Sequence, residues 1–128
     1  MPEYLANLNL LGVAAAVLFL VIAGIVGMTA YQAKTGSLRL GSRYGFTKDE
    51  VKASQSTWDA AHRAAWPFLT ITAVMAFFHG IACIGVALAL GRDSHQMLQV
   101  LLVSGLVVTI ALYLLAQRVA VNEARSGR

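Results

Sequence analysis

Three long runs of apolar residues, none of which contains a charged side chain, divide the sequence. They cover residues 10–30, 68–91 and 97–116. Each run has about the 20 residues that an α-helix needs to cross a hydrocarbon core of roughly 30 Å. The pattern predicts an all-α membrane protein, a single domain over residues 1–128, with transmembrane helices at about 10–31, 67–91 and 96–117.

An apolar run near the N-terminus is also a feature of cleavable signal peptides. Such a signal starts with basic residues and has an apolar core of about 7 to 15 residues. The segment before Leu10 carries Glu3 and neither lysine nor arginine, and the run that follows is longer than such a core. We therefore expect residues 10–30 to be a retained membrane anchor.

The polar connection between the first two runs changes character halfway. Its first part, QAKTGSLRLGSRYGF, contains three glycines and scattered basic residues, which is typical of an irregular segment. In its second part Thr47 and Glu50 have capping-box spacing, and an alanine-rich stretch follows. The pattern predicts an amphipathic loop helix at about 48–65, with Trp58 on one face and Arg63 on the other, lying on the cytoplasmic membrane surface.

The composition agrees with a membrane protein and indicates its orientation. Hydrophobic residues make up 58% of the chain and charged residues 12%, with a mean hydropathy of +0.66, whereas a soluble domain is about 25% charged. Nine of the ten Lys and Arg residues fall in the long loop or the C-terminal tail. Because such residues tend to stay in the cytoplasm, we expect the N-terminus outside and the C-terminus inside. The net charge of +4 then suits the lipid bilayer, and no nucleic-acid partner is needed.

Trp58 and His62 are the first candidates for a site, because they lie one helical turn apart and share a face. A partner-binding surface would use Trp58 as an anchor, His62 as a hydrogen-bonding group, Ser54 one turn earlier, and Arg43 and Arg63 as anion contacts. The alternative is structural, with the tryptophan at the headgroups and the histidine bonded to a backbone carbonyl. Ser54 and His62 are two turns apart, about 12 Å along a helix axis, which is too far for nucleophile activation.

His79 lies near the middle of the second run, where an ionisable side chain is costly and a function is the default hypothesis. The alternative is an imidazole hydrogen-bonded to another span, for example to Thr29 or Thr109. A proton relay would normally use a buried carboxylate, and the apolar runs contain none. Further ligands at that depth are missing, and Cys83 is the single cysteine, so we expect no metal, no disulfide within the chain and no cofactor.

The segment 41–67 resembles the signature of the SdpI/YhfL family of small bacterial membrane proteins. In that family a Gly-x-Arg-Thr element, a serine and a Trp-x-x-x-His-Arg motif occupy a cytoplasmic loop between the first two spans of a three-helix unit. The corresponding positions in this sequence are Gly41, Arg43, Ser54, Trp58, His62 and Arg63. Tyr44 stands where the family has threonine, and the interval from Arg43 to Ser54 is longer than usual.

The resemblance implies an immunity or signalling protein of the bacterial inner membrane, without enzymatic activity. Its loop helix would bind a peptide, protein or lipid partner. The alternative is a structural accessory subunit of a larger membrane complex, such as a transporter or respiratory assembly. A third class is an ion pathway through His79 in a homo-oligomer, since small residues such as Gly85 and Gly105 allow close packing of helices.

Overall fold

The computed structural model describes residues 8–126 and contains three long helices. Within that range the chain forms helices and turns and no strand. The helices are α1 (Leu10–Thr35), α2 (Gln55–Ala89) and α3 (His95–Ser126). Each is long and apolar enough to cross a membrane. The predicted all-α class with three helices of spanning length is confirmed, which is consistent with a multi-pass membrane protein.

The two connections lie at opposite ends of the bundle. Residues 36–54, the connecting loop, join α1 to α2 at the end that we call the loop end, and include a short 3₁₀ turn at Val51–Ala53. At the other end, the turn end, α2 and α3 are joined by the 3₁₀ turn Gly91–Ser94. Asn9 closes the turn end, because its Oδ1 caps α1 by accepting from the N–H of Leu11 at 3.0 Å and its Nδ2 donates to the Gly91 carbonyl at 3.4 Å.

The structure differs from the predicted loop helix at 48–65, which is not present as a separate element. Residues 49 and 50 form a turn, Val51–Ala53 a short 3₁₀ helix, and the α-helix begins only at Gln55. Ser54 is the actual N-cap, because its backbone is extended and its Oγ accepts from the N–H of Thr57 at 3.1 Å. Residues 48–54 of the predicted helix therefore belong to the connecting loop, and residues 55–65 belong to α2.

The helix that starts at Gln55 continues without a break through Pro67 into the membrane span. Proline removes only the hydrogen bond to the carbonyl of Arg63, and the ring of Pro67 lies on the exposed side of α2. Ala65 and Leu69, on either side of it, are fully buried. Packing of these two side chains keeps the helix continuous at the proline. The polar segment 55–66 is therefore an extension of the apolar part of α2.

Helix α2 is the centre of the bundle, since it packs along both neighbours while α1 and α3 touch each other little. Its buried positions recur every three or four residues and are mostly small: Trp58, Ala61, His62, Ala65, Leu69, Thr72, Ala76, Gly80, Cys83 and Ala87. Small side chains let helix backbones approach closely, which is how helices associate where lipid removes the hydrophobic driving force. The bundle is therefore held together by close contact along α2.

Two clusters of buried side chains make up the core. The turn-end cluster is built around Phe19 and Leu98, and the loop-end cluster around Trp58 and Phe46. Outside these clusters the bundle exposes large apolar side chains along its length, among them Phe78, Val103 and Val107, each about 60% exposed. An apolar exterior on helices of this length is suited to lipid.

We predict that Gly105→Ala destabilises the bundle by about 1–3 kcal/mol, as overpacking does, whereas Gly85→Ala does not. A Cβ added at Gly105 would stand 2.4 Å from Cζ of Phe19 and 2.8 Å from Cδ2 of His79, whereas at Gly85 nothing lies within 4 Å. Thermal unfolding of both variants in one detergent, followed by circular dichroism, measures the difference. Equal melting temperatures would contradict this packing.

Candidate functional site at the loop end of the bundle

The structure separates the five candidate residues of the sequence motif into two groups. Trp58 and His62 are buried, with 0% and 1% of their surface exposed, and point into the bundle. Ser54, Arg43 and Arg63 are exposed. The tryptophan and histidine do share a face, with ring centroids 4.2 Å apart. That face is covered by the connecting loop and is open neither to lipid nor to solvent.

Trp58 holds the first half of the connecting loop. Its indole Nε1–H donates to the carbonyl of Leu38 at 2.9 Å, and both residues are buried. A buried carbonyl without a donor is costly, so this bond specifies where the loop returns across the end of the bundle. The large indole also supplies much of the apolar area against which the loop packs.

His62 holds the second half of the loop through both of its ring nitrogens. Its Nδ1 lies 2.8 Å from the carbonyl of Trp58, one turn earlier, and its Nε2 lies 2.9 Å from the backbone nitrogen of Phe46. A carbonyl only accepts and a backbone N–H only donates, so Nδ1 carries the proton and Nε2 is the acceptor. This arrangement requires the neutral imidazole with one particular tautomer.

Aromatic contacts extend the same cluster to α3. The ring of Phe46 stacks on the ring of His62, with 5.4 Å between their centroids. It also contacts the ring of Tyr113 in α3, again with 5.4 Å between centroids. Gly45 allows this approach, because a Cβ there would stand 2.7 Å from Nε2 of His62 and from the indole of Trp58. Any larger residue at this position would push the loop away from α2.

Burial lowers the pKa of His62, and two weaker effects oppose that shift. The largest cause is loss of hydration of the charged ring, while the hydrogen bond to the Trp58 carbonyl and the nearby Asp59 carboxylate favour the charged form. The segment 55–66 carries these polar groups and precedes the charge-free run that begins at Phe68. The 35-residue α2 is about 52 Å long and exceeds a hydrocarbon core of about 30 Å, so His62 lies outside the spanning part.

Arg43 lies in a surface cavity of the connecting loop. The cavity has a volume of about 520 Å³ and is also lined by Arg39, Tyr44 and Gln32. The guanidinium carbon of Arg43 lies 5.5 Å from the ring centroid of Tyr44, a cation–π distance. Arg63 is exposed on α2 and does not line this cavity.

A second cavity, of about 380 Å³, lies next to the first along the outer face of α1. The two share Gln32 and Tyr44, and the second is otherwise lined mainly by apolar side chains such as Ile25 and Met28. The outer surface of the loop therefore combines cationic side chains with an apolar groove that runs along α1.

Ser54 serves the helix start. Its hydroxyl caps α2 and also donates to Oγ1 of Thr57 at 2.9 Å. Both ring nitrogens of His62 are hydrogen-bonded to backbone groups. Ser54 and His62 therefore do not form the hydrogen bond that would activate a serine nucleophile. Among residues 8–126, no three His, Cys, Asp or Glu side chains are close enough to hold a metal ion.

His79 forms its hydrogen bond within its own helix. The expected alternative, a bond to a residue of another helix such as Thr29 or Thr109, is not found among the described residues. Its Nδ1–H donates to the carbonyl of Met75 at 2.8 Å. Its half-buried ring lies 5.6 Å from that of Phe19, over the space that Gly105 leaves in α3. Thr29 bonds to its own helix at the carbonyl of Ile25, and the buried hydroxyl of Thr109 has no partner in the described part of the chain.

The loop residues that meet Trp58 and His62 are not evident from the pattern of the sequence. Leu38, Gly45 and Phe46 are buried although they lie in a segment that reads as irregular and polar. A weak signal was present, because Phe46 lies in a polar loop and phenylalanine is among the residues most often fully buried.

The chain matches no protein-family model, no curated protein and no solved structure. The resemblance of residues 41–67 to the SdpI/YhfL signature therefore stays a prediction.

We predict that Trp58→Phe costs about 1–3 kcal/mol, the penalty for a buried polar group that loses its partner, because the Leu38 carbonyl would remain buried without a donor. Trp66→Phe is the matched control, since Trp66 is half-buried, packs against the loop-end cluster and has its ring centroid 5.0 Å from the Lys34 ammonium, whereas it is Trp58 whose indole donates to a buried carbonyl of the loop. Chemical unfolding in detergent gives both free energies. An equal loss in the two variants would show that the indole bond does not hold the loop.

We also predict that the loop loosens in acid. A lowered pKa means that the folded protein binds fewer protons than the unfolded chain, so the stability contributed by His62 is fully present above the ordinary value of about 6.5. It declines as the pH falls below that value and levels off below the folded pKa. Protonation would also change Nε2 from an acceptor into a donor, so that two N–H groups would face each other at Phe46.

Hydrogen exchange at the Phe46 amide, corrected for its intrinsic pH dependence, measures this loosening. Protection should fall between about pH 7.5 and 5, since this range brackets the ordinary histidine pKa. His62→Ala should expose the amide at every pH, and His95→Ala, which alters an exposed histidine at the turn end, should behave like the parent. Protection that is unchanged over the range in the parent protein would contradict the prediction.

Proposed function

We propose that the protein is a non-enzymatic component of the bacterial inner membrane that binds a peptide or protein partner on the outer surface of its connecting loop. The observation that carries the proposal is the attachment of that loop to α2 through the side chains of Trp58 and His62. An immunity or signalling role, as in the SdpI/YhfL proteins that the motif resembles, is the function that this surface would serve.

A loop held in this way is a prepared binding surface. Long connections without regular structure are uncommon in compact domains unless they have a function. Ordering a flexible loop at the moment of binding costs free energy, and a loop that is already ordered avoids that cost. Trp58 and His62 therefore contribute to recognition by holding the loop in place, and they need not contact the partner.

The contacts would come from the exposed side chains above them. Arg43, with Arg39 beside it in the loop cavity, offers planar donors for carboxylate groups. Tyr44 joins this cavity to the apolar groove along α1, so a partner with both acidic and apolar side chains fits best. Arg63, exposed on α2, extends the cationic surface of the same end.

The loop end is the cytoplasmic end in this proposal. The connecting loop and the end of α3 lie together, since Arg125 forms an ion pair with Glu50 at 3.3 Å. Most of the basic residues of the chain are therefore gathered at one end, whereas Arg92 lies at the turn end. The preference of basic residues for the cytoplasm supports this orientation. The amphipathic segment 55–66 would project beyond the hydrocarbon on that side.

A structural accessory subunit is the second candidate, and the exposed face of α3 favours it. Val100, Val103, Val107, Ile110 and Leu114 recur at alternating three- and four-residue spacing and are all more than half exposed. Such a stripe is the pattern that one helix presents to another. A neighbouring membrane subunit, or a second copy of the chain, would cover it in a larger assembly.

The experiment is an affinity purification from cross-linked membranes, comparing Arg43→Gln with Lys52→Gln. Both changes remove one exposed positive charge at the loop end, and only Arg43 lines the loop cavity. We expect a partner of the parent protein to be reduced about tenfold with Arg43→Gln and retained with Lys52→Gln, because losing a charged contact costs about 1.4 kcal/mol or more.

Two results would contradict the proposal. One is a set of partners that both variants retain equally. The other is a stoichiometric membrane partner that survives Arg43→Gln and is lost when Val103 and Val107 are replaced by bulkier phenylalanines, which would favour the accessory subunit.

A further inference from the structure

A groove on the outer side of α3 at the loop end is built from two distant parts of the sequence. It has a volume of about 520 Å³ and lies between Lys48 of the connecting loop and the last turns of α3. Its lining is apolar at Ala111, Leu114 and Leu115 and carries basic side chains at Lys48, Arg118 and Arg125. It shares no lining residue with the cavity around Arg43.

The change from apolar to basic follows the depth of the residues in a membrane. The charge-free run of α3 ends at Ala116, and at about 1.5 Å per residue Arg118 lies only about 3 Å further along the helix. Leu114 and Leu115 therefore belong to the last turn inside the hydrocarbon, and Arg118 to the headgroup layer. Gln117 and Asn122, which also line the groove, add hydrogen-bond donors at that level.

The basic side chains of the groove are not fully compensated by acids of the protein. Arg125 is paired with Glu50 at 3.3 Å. In the described part of the chain, neither Lys48 nor Arg118 forms an ion pair. Two positive charges from segments about seventy residues apart thus converge on one groove, where an external anion would reduce their repulsion.

We propose that this groove is a binding site for one anionic phospholipid. The phosphate and anionic headgroup lie between Lys48 and Arg118, and an acyl chain runs along Ala111, Leu114 and Leu115. Basic residues beside a membrane helix are the usual recognition elements for such headgroups. The planar guanidinium of arginine can donate two hydrogen bonds to a phosphate, and the ammonium of lysine provides a compact positive charge.

An amphiphile fits this groove better than a soluble anion. A free phosphate would contact only the basic rim and would make no contact with the apolar side chains of Leu114 and Leu115. A phospholipid covers both parts at once. Because Lys48 comes from the connecting loop, a bound lipid would also link that loop to α3, alongside the ion pair between Glu50 and Arg125.

The test is a competition between two lipids for the intact protein. The full chain is purified in detergent, mixed with equimolar phosphatidylglycerol and phosphatidylcholine, and the retained lipids are counted by native mass spectrometry. We expect phosphatidylglycerol to be preferred. The double variant Lys48→Gln, Arg118→Gln should lower that preference about thirtyfold, since a basic side chain near a membrane contributes about 1 kcal/mol and 1.4 kcal/mol is a factor of ten.

The matched control is Lys34→Gln, Lys52→Gln, which removes two exposed positive charges from the same end of the bundle and lies outside the groove. It should keep the preference within about threefold, which is the effect of roughly 0.65 kcal/mol. Circular dichroism and elution volume verify that both double variants are folded. Excess inorganic phosphate added to the parent protein should leave the bound lipid in place, because phosphate lacks the acyl chain.

Three results would overturn the proposal. The first is no preference for phosphatidylglycerol in the parent protein. The second is an equal loss in the two double variants, which would mean a diffuse electrostatic attraction without a site. The third is displacement of the lipid by inorganic phosphate, which would make the groove a site for soluble anions.

Discussion

The attachment of the connecting loop to α2 is the contact on which the loop end depends. Trp58 donates to the Leu38 carbonyl and His62 accepts from the Phe46 amide, so two buried rings satisfy the backbone of a segment that has no regular structure of its own. Without them those backbone groups would have to reach water, because buried polar groups must be paired. The loop could then no longer cover the end of the bundle, and the core around Phe46 would open.

The rest of the bundle follows from the close packing of α2. Its buried face consists mostly of small residues, and the missing side chain of Gly105 in α3 leaves room for both Phe19 and His79. Small residues let the three helices approach closely around a few large buried side chains such as Phe19, Leu69 and Leu98. Many other large apolar residues are consequently on the outside, where lipid would solvate them. The same arrangement explains why His79 is tolerated: it bonds to its own helix and packs against an aromatic ring.

The loop end carries two separate cationic surfaces, and both include side chains of the connecting loop. One is the cavity around Arg43, which we propose for a peptide or protein partner. The other is the groove with Lys48 and Arg118, which we propose for an anionic phospholipid. Loosening of the loop by protonation of His62 would disturb both. The pH at the loop end therefore becomes a variable that any binding measurement has to hold constant.

The sequence by itself determined the three helices that are long and apolar enough to cross a membrane, because a charge-free run of about 20 residues satisfies its backbone groups within a helix when it is surrounded by lipid. It also placed Trp58 and His62 on one face, since helical periodicity is a local property. Only the tertiary structure decided what that face meets and that Lys48 and Arg118 line one groove. The hydrogen bonds from that face to the loop join residues 16 and 20 positions apart, and the groove joins segments about seventy residues apart. Hydropathy and periodicity contain no information on which distant segments the packing of small side chains brings together.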